Sequence, residues 1–395
     1  VVTLLENYDA TGRPAAILAE YVSVAWRKRL RIFNTPSPRH MSNWGCLYQI
    51  LRANFDGLRS DAVPEPPQAK PTDGKVEYRS GKRVTDLSYN EDKGTVTVLF
   101  ADVTTGEQDK LTADLVLGAD GIHSTVRSLL LAPTRKEYGG YIGWRGTVPE
   151  NLLSPKTVEY FSNRLNFSLM QGTYFIRYVD VLMQVQLQSR CTTQHSLTHK
   201  SYIIPTESGQ VEPGQRLLNW VWYYKVADGS TELEAIFTDK NGKIRPNTVP
   251  VGLVDPDLWA SQKARYVDKM TGPLAEIVSR TPQPFVTKVR EAECEASSFY
   301  DGHVVLVGDA FAAFRSHMGL ASEQAARHCI QMGMLWKGEI SQRERDQMAT
   351  DYAKKYLLLN KIIGLGGLGM VLQVLKLASA YMWLLIGQSV RQAQH

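Results

Sequence analysis

Asp309 is the residue whose type and position most plainly suggest chemistry. It follows the apolar run VVLVG at 304–308, which reads as a buried strand, so its carboxylate emerges at the strand's carboxyl end and not within a core that penalises unpaired charge. A carboxylate accepts hydrogen bonds and repels phosphate, and polyol hydroxyls such as those of ribitol are the ligand that suits it. The bland alternative is a strand-end turn or a helix cap. Upstream, DLVLGADGIHSTVR at 114–127 repeats the arrangement. A buried strand ends in Asp120 and Gly121, a helix opens near Ser124, and Arg127 can reach phosphate or brace Asp120. Two such strand ends can meet at one crevice of a parallel sheet, where α/β folds bind nucleotides. Gly308 and Ala310 flank Asp309. A helix opening around Ala321 and Ser322 would turn its free N–H groups and positive dipole end onto the same crevice.

Other candidates carry less. His317 lies in the loop before that helix, where it either touches substrate or serves structure. His195 and His199 are four residues apart, but the stretch CTTQHSLTHK offers no third ligand, so a solvated loop is expected there and not a metal. Gly364, Gly366 and Gly369 satisfy GxGxxG without a strand-to-helix unit around them or an acidic residue some twenty positions on. They read as helix packing or a bend. The four cysteines, Cys46, Cys191, Cys294 and Cys329, are far apart with no zinc or disulfide spacing, and a reducing cytosol is the expected setting.

These residues need elements to hold them. In MSNWGCLYQILRANFDGL (41–58), Trp44, Leu47, Tyr48 and Leu51 recur at helical spacing, with Ser42 placed to cap the helix. Four prolines within 61–74 predict an exposed loop. RVTDLSY, TVTVLFA and DLVLGAD, separated by turn residues, predict an antiparallel excursion that leads into the first buried strand. From 138 to 285 the pattern becomes alternating and aromatic, as in YFIRYV, VLMQVQLQ and LLNWVWYYKV, without a long helix before Pro256. A β-rich second domain is expected. Trp220, Trp222 and Tyr224 share one face of its strand and Tyr223 the other. Such aromatics either fill a sheet core or line a flat pocket, in which Trp222 and Tyr223 would touch substrate.

The expected organisation of the 395 residues is therefore 1–137 and 286–338 as two parts of one nucleotide-binding domain, 138–285 as an insert, and 339–395 as terminal helices. An apolar share of 43% and a formal charge of +5 suit a globular chain without a nucleic-acid footprint; the basic residues are scattered apart from Arg27, Lys28, Arg29 and Arg31. Residues 362–386 are apolar but contain Gln373 and Lys376 near the middle, which a membrane-spanning helix tolerates poorly. A packed helix pair or a peripheral membrane contact is expected. Val1-Val2 is neither an initiator methionine nor the start of a signal peptide, so a preceding segment is expected.

GADGIHSTVR and LVGDAFAAF resemble the paired motifs of FAD-dependent aromatic hydroxylases with the para-hydroxybenzoate hydroxylase fold. YIGWRGTVPE, PGQRLLNWVWYY, FTDKNGKIRPNTVPVG and TPQPFVTKV, with WGCLYQILRANFDGL before them, are similar to the branch of 2,6-dihydroxypyridine 3-monooxygenase-like proteins, and the likeness covers nearly all of residues 1–338. The resemblance implies an α/β fold: a Rossmann-like FAD-binding domain, incomplete at its N-terminus, with an inserted mixed β-sheet substrate domain and C-terminal helices. It implies a monooxygenase that uses FAD, NAD(P)H and O2 on a small aromatic or polyketide-like ring, with a homodimer left open. Asp309 would hold ribitol between Gly308 and Ala310, and Asp120, Gly121 and Arg127 would serve the pyrophosphate and nicotinamide cleft. Ala321 and Ser322 would stabilise negative charge on reduced flavin.

The chain also departs from the family. It begins after the strand, GxGxxG and helix with which relatives start, so an absent adenosine site and weak FAD binding are expected. Ser316 replaces a usual Pro and Ala321 a frequent Gly, and Trp44 replaces an Arg of the wider family, as the dihydroxypyridine branch tolerates. The rival reading is a non-catalytic remnant or scaffold that binds FAD poorly.

Overall fold

A computed structural model of the chain describes residues 17–24, 37–38, 43–161, 164–169, 197–204, 206, 209, 212–368 and 370–393. The runs at 174–179 and 181–188, the basic cluster at 27–31 and His195 lie outside the described residues. In chain order the strands are β1 (Ile17–Val24), β2 (Ser37–Pro38), β3 (Lys82–Asn90), β4 (Thr95–Asp102), β5 (Gln108–Ala113), β6 (Val116–Gly118), β7 (Thr134–Pro149), β8 (Arg164–Leu169), β9 (Leu197–Ile204), β10 (Leu217–Lys225), β11 (Thr248–Val249), β12 (Phe285–Cys294), β13 (Ser298–Phe299), β14 (Val304–Leu306) and β15 (Ala312–Ala313). The α-helices are α1 (Trp44–Asp56), α2 (Thr125–Leu129), α3 (Pro155–Phe161), α4 (Thr231–Phe237), α5 (Pro256–Tyr266), α6 (Gly272–Arg280), α7 (Leu320–Trp336), α8 (Gln342–Gly367) and α9 (Val371–Ala393).

These elements fall into two compact units. The first holds Val1–Tyr78, Gly140–Lys288 and Gly367–Gly369, and the second holds Arg79–Gly139, Val289–Gly366 and Met370–His395. Residues 43–78 thus group with the sheet-rich unit, where the Asn43 amide donates to the Thr206 carbonyl at 3.0 Å. Asn43 caps α1, its side chain accepting from the Cys46 N–H at 2.8 Å; Ser42, the expected cap, lies outside the described residues. Its buried face is Cys46, Ile50 and Ala53, while Trp44 and Leu51 of the apolar stripe are exposed.

In the first unit the sheet order is β11-β12-β7-β10-β9-β8-β1-β2. It is mixed, with β1 parallel to β8 and β10 antiparallel to both β7 and β9. One face is covered by α5. Trp222 meets Tyr266 edge-on at 5.0 Å, Trp220 stacks on Trp259 at 6.3 Å, and Trp144, paired across the strands with Trp222, lies 5.0 Å from Trp259. The Trp220 indole N–H donates to the Thr281 hydroxyl at 2.8 Å. Gly146 makes this possible, since a Cβ there would lie 2.6 Å from Thr281 Cγ2. Of the two readings of the aromatic strand, these contacts describe a helix-packed core for Trp220, Trp222 and Tyr224. His199 lies on β9 directly opposite Trp222, which corrects the expected loop. The reason is that LTHKSYII (197–204) supplies a full strand of partners to β10.

In the second unit β3, β4 and β5 form an antiparallel meander with turns at Gly94 and Gly106, as the turn residues predict. β14 then pairs in parallel with β6, Val304 to Val116 and Leu306 to Gly118, and β13 adds to the other edge of β14. Val304, Val305 and Leu306 are fully buried. Gly118 keeps β6 close to its neighbours, because a Cβ there would lie 2.8 Å from Leu306 Cδ2. The core around this pair draws in Val96, Val126, Phe311, Ala349 and Ala353. Gly364 and Gly366 of the GxGxxG match belong to the last turns of α8, and Gly369 lies outside the described residues; Gly366 faces Val374 of α9, where an added Cβ would sit at 3.8 Å.

Candidate functional site

The parallel pairing of β6 and β14 brings Asp120-Gly121 and Asp309 to the same end of one small sheet. After β6 the chain turns at Gly121, whose φ of +80° is the left-handed region that a side chain disfavours. Asp120 then reaches over the first turn of α2. One carboxylate oxygen accepts from the Ser124 hydroxyl at 2.5 Å, and the other from the Thr125 and Val126 N–H groups at 2.7 and 3.1 Å. Ser124 itself caps α2 through the Arg127 N–H at 2.9 Å.

Arg127 neither braces Asp120 nor presents itself to solvent. It is buried, and its guanidinium donates to the carbonyls of Ala310 (2.6 Å), Asp309 (3.4 Å) and Ile122 (2.6 Å). This corrects the expected phosphate contact: three backbone acceptors already face the donors, and the side chain is a clamp joining the two strand-end turns.

After β14 the chain turns at Gly308, with φ +56°, into a single turn over Gly308–Ala310. Nδ1 of His328, from α7, accepts the Gly308 N–H at 3.0 Å. Burial, and then the charge of Arg345, lower the His328 pKa to about 4, so the imidazole is the neutral acceptor this bond requires. Asp309 is different from Asp120. Its Oδ1 is buried and has no hydrogen-bond partner, and burial pushes its carboxyl above the usual range. An ionised oxygen left unpaired in this way is costly unless a ligand supplies donors.

Helix α7 packs on this turn. It begins at Leu320, just before the expected Ala321 and Ser322, after Gly319 at φ +68° and without a side-chain cap. Ala321 and Ser322 are exposed in its first turn. Gln324 ties that turn to the Ala312 carbonyl at 2.6 Å. The intervening loop is anchored by four charged side chains that sequence reasoning missed. Arg315 contacts Glu291 at 2.8 Å and Glu137 at 3.4 Å, and Lys361 contacts the same two carboxylates at 2.6 and 2.8 Å. Burial raises the Glu291 pKa, whereas in Glu137 the neighbouring Lys361 and Arg315 outweigh burial and lower it. No local pattern announces partners so distant in sequence. His317 is buried beside this anchor, its N–H donating to the Arg315 carbonyl at 2.8 Å.

Of the expected substrate residues in the first unit, Trp222 is in the α5-covered core and is not accessible to a ligand there. Tyr223 faces the other side of the strand and is equally buried, beside Gly143 and edge-on to Tyr141 at 6.0 Å. Among the described residues no cluster of His, Cys, Asp or Glu could hold a metal ion.

A family model described as FAD binding domain-like matches residues 138–189 and 187–291. The chain is 28% identical over 254 residues to 2,6-dihydroxypyridine 3-monooxygenase of Paenarthrobacter nicotinovorans, 64% of this chain and 54% of that protein. It is 35% identical over 111 residues to 6-hydroxynicotinate 3-monooxygenase of Pseudomonas fluorescens, 28% of this chain and 24% of that protein. The chain thus spans about half the length of the first relative. Among solved structures, 2,6-dihydroxypyridine-3-hydroxylase from Arthrobacter nicotinovorans superposes with a TM-score of 0.58 at 24% identity, covering 75% of this chain and 67% of that one. CtdE in complex with FAD and substrate superposes with a TM-score of 0.53 at 12% identity, covering 92% and 73%. Both likenesses are of fold. In sequence the chain is similar to 2,6-dihydroxypyridine 3-monooxygenase and, over a shorter stretch, to 6-hydroxynicotinate 3-monooxygenase, and in fold to 2,6-dihydroxypyridine-3-hydroxylase.

Proposed function

We propose that this protein is a flavin-dependent monooxygenase that adds one oxygen atom from O2 to a small, electron-rich aromatic ring, with NAD(P)H as reductant. The observation that carries the reading is Oδ1 of Asp309, a buried acceptor without a partner at the end of β14. It suits a polyol hydroxyl of FAD. Gly121, at positive φ and with nothing within 4 Å of where a Cβ would stand, leaves the backbone free to approach a flat ligand closely, and the uncapped start of α7 at Leu320, Ala321 and Ser322 adds free N–H groups and the positive end of a helix dipole. When bound, FAD supplies the electron transfer and oxygen activation that no side chain can.

The chain's own residues hold and orient. Arg127 and His328 fix the two turns, Asp120 caps α2, and the Arg315 anchor sets the loop that carries His317. His317 is the proposed substrate contact, and Trp222 and Tyr223, both fully buried in the first unit, are not. The relatives' names mention hydroxylated pyridine rings, so hydroxypyridines are the first substrates to test.

The test is NADH and NADPH oxidation by the FAD-loaded protein across a panel of hydroxypyridines and phenols, with product mass. Ring-stimulated oxidation together with a product heavier by one oxygen is expected. Retained flavin with no ring giving an oxygenated product would overturn the assignment.

A further inference from the structure

We infer that the ring of Glu137, Glu291, Arg315 and Lys361 is a proton-operated latch on residues 314–319: Arg315 is held while Glu291 is ionised and let go when Glu291 takes up a proton, with Lys361 opposing that uptake and Glu137 favouring it. The inference rests on the second unit alone and not on the oxygenase reading.

The ring is closed and formally neutral. Each cation touches both carboxylates: Arg315 reaches Glu291 at 2.8 Å and Glu137 at 3.4 Å, and Lys361 reaches them at 2.6 and 2.8 Å. The Glu291, Arg315 and Lys361 side chains are interior, whereas Glu137, 46% exposed, is the corner open to water. Three corners are also fixed. Glu137 is on β7, Glu291 on β12 and Lys361 in α8, but Arg315 stands in 314–319, which has neither helix nor strand. A change of charge in the ring is therefore relieved first by movement of the Arg315 segment, and that segment carries His317.

Neutrality depends on Glu291. When it is protonated, the two buried cations share Glu137 alone, and the interior holds an excess positive charge that an apolar surrounding penalises. Burial pushes the Glu291 carboxyl above the usual range, Arg315 and Lys361 pull it back, and the charge of Glu137 raises it. Withdrawing Arg315 removes one of the two pulls while Glu291 stays on its strand, so this carboxyl titrates higher with the segment withdrawn than with it anchored. By linkage the proton favours the withdrawn state, and the anchored state gains as pH rises. The adjoining charges of β12 are otherwise engaged: Glu293 pairs with Arg135 at 2.8 Å, and Arg290 alternates to the other face of the strand.

The test is brief digestion of the full chain, without flavin, by thermolysin across the mildly acid to neutral range. Cuts within residues 311–319 are located by mass, and rates are taken relative to an unstructured peptide of the same sequence. The parent should be protected at neutral pH and cut faster as pH falls. E291Q, with a neutral carboxamide in place of the carboxylate, should be cut about tenfold faster than the parent at neutral pH and without pH dependence. K361M should move the midpoint to higher pH, K361R should restore it, and E137Q should move it to lower pH. A packing role alone would loosen every variant without opposed shifts. Circular dichroism checks folding, and if E291Q does not fold the opposed shifts of K361M and E137Q decide. Protection of folded E291Q equal to the parent's, or K361M and E137Q moving the midpoint in the same direction, would overturn the inference.

Discussion

The ends of β6 and β14 share one grammar, an apolar strand leading to an aspartate beside a glycine at positive φ, yet their carboxylates do opposite things. Asp120 is saturated by the Ser124 hydroxyl and two N–H groups of α2. Asp309 has a buried oxygen with nothing to accept from. The contrast comes from the next element of the chain. Beyond Asp120 a helix capped by Ser124 begins and offers its free amides, while beyond Asp309 the backbone makes one tight turn and re-enters a strand, β15. A strand-end carboxylate is a ligand group only where the chain leaves it unanswered.

The largest test of this contrast removes the clamp between the two turns. Arg127→Met should destabilise the protein by about 3 kcal/mol or more, read as a shift in the urea midpoint, because three carbonyls lose a charged donor in a buried setting. Next is His328, whose pKa is lowered in the folded state. Its contribution is present above its ordinary pKa of 6.5 and is lost as pH falls toward about 4. Up to on the order of 3 kcal/mol of stability should disappear across that window, and H328Q should flatten the dependence in urea titrations at successive pH values.

D309N separates binding from folding. FAD affinity should fall about 10- to 100-fold with loss of a charged acceptor. The flavin-free variant should melt at or above the parent at neutral pH. The raised Asp309 pKa means that this group's contribution is full below the usual Asp range and is lost as pH rises through the folded value, and Asn escapes that loss. The smallest effect belongs to D120A, which should cost about 1 kcal/mol as a lost helix cap while changing FAD affinity less than D309N does. Equal flavin losses in D120A and D309N would erase the distinction between the two carboxylates.

Much of this is legible in the chain. The two buried strands, the meander before them, the helix opening near Ser124 and the helix from about 320 to 336 come from apolar runs and turn residues, which are local signals. The failures share a cause. Trp222 alternates as a pocket residue would, but which face of a sheet a helix covers depends on α5, more than thirty residues away. Arg127 reads as a phosphate ligand because a buried arginine and a binding arginine are spelled alike, and only the fold shows the carbonyls waiting for it. His328, Glu291 and Lys361 carry no motif, since their partners are brought together by tertiary packing.

The four-way contact of Glu137, Glu291, Arg315 and Lys361 gives the C-terminal part of the chain a stake in the crevice. A version of the protein cut before residue 361 would leave Glu291 in the interior answered by Arg315 alone, with Glu137 and Arg315 still at 3.4 Å. The segment bearing His317 would keep its Arg315 contacts, but over a buried Glu291 that has lost one of its two cations. Shortening the tail is thus felt first in the charge balance around Glu291, beneath the loop of residues 311–319.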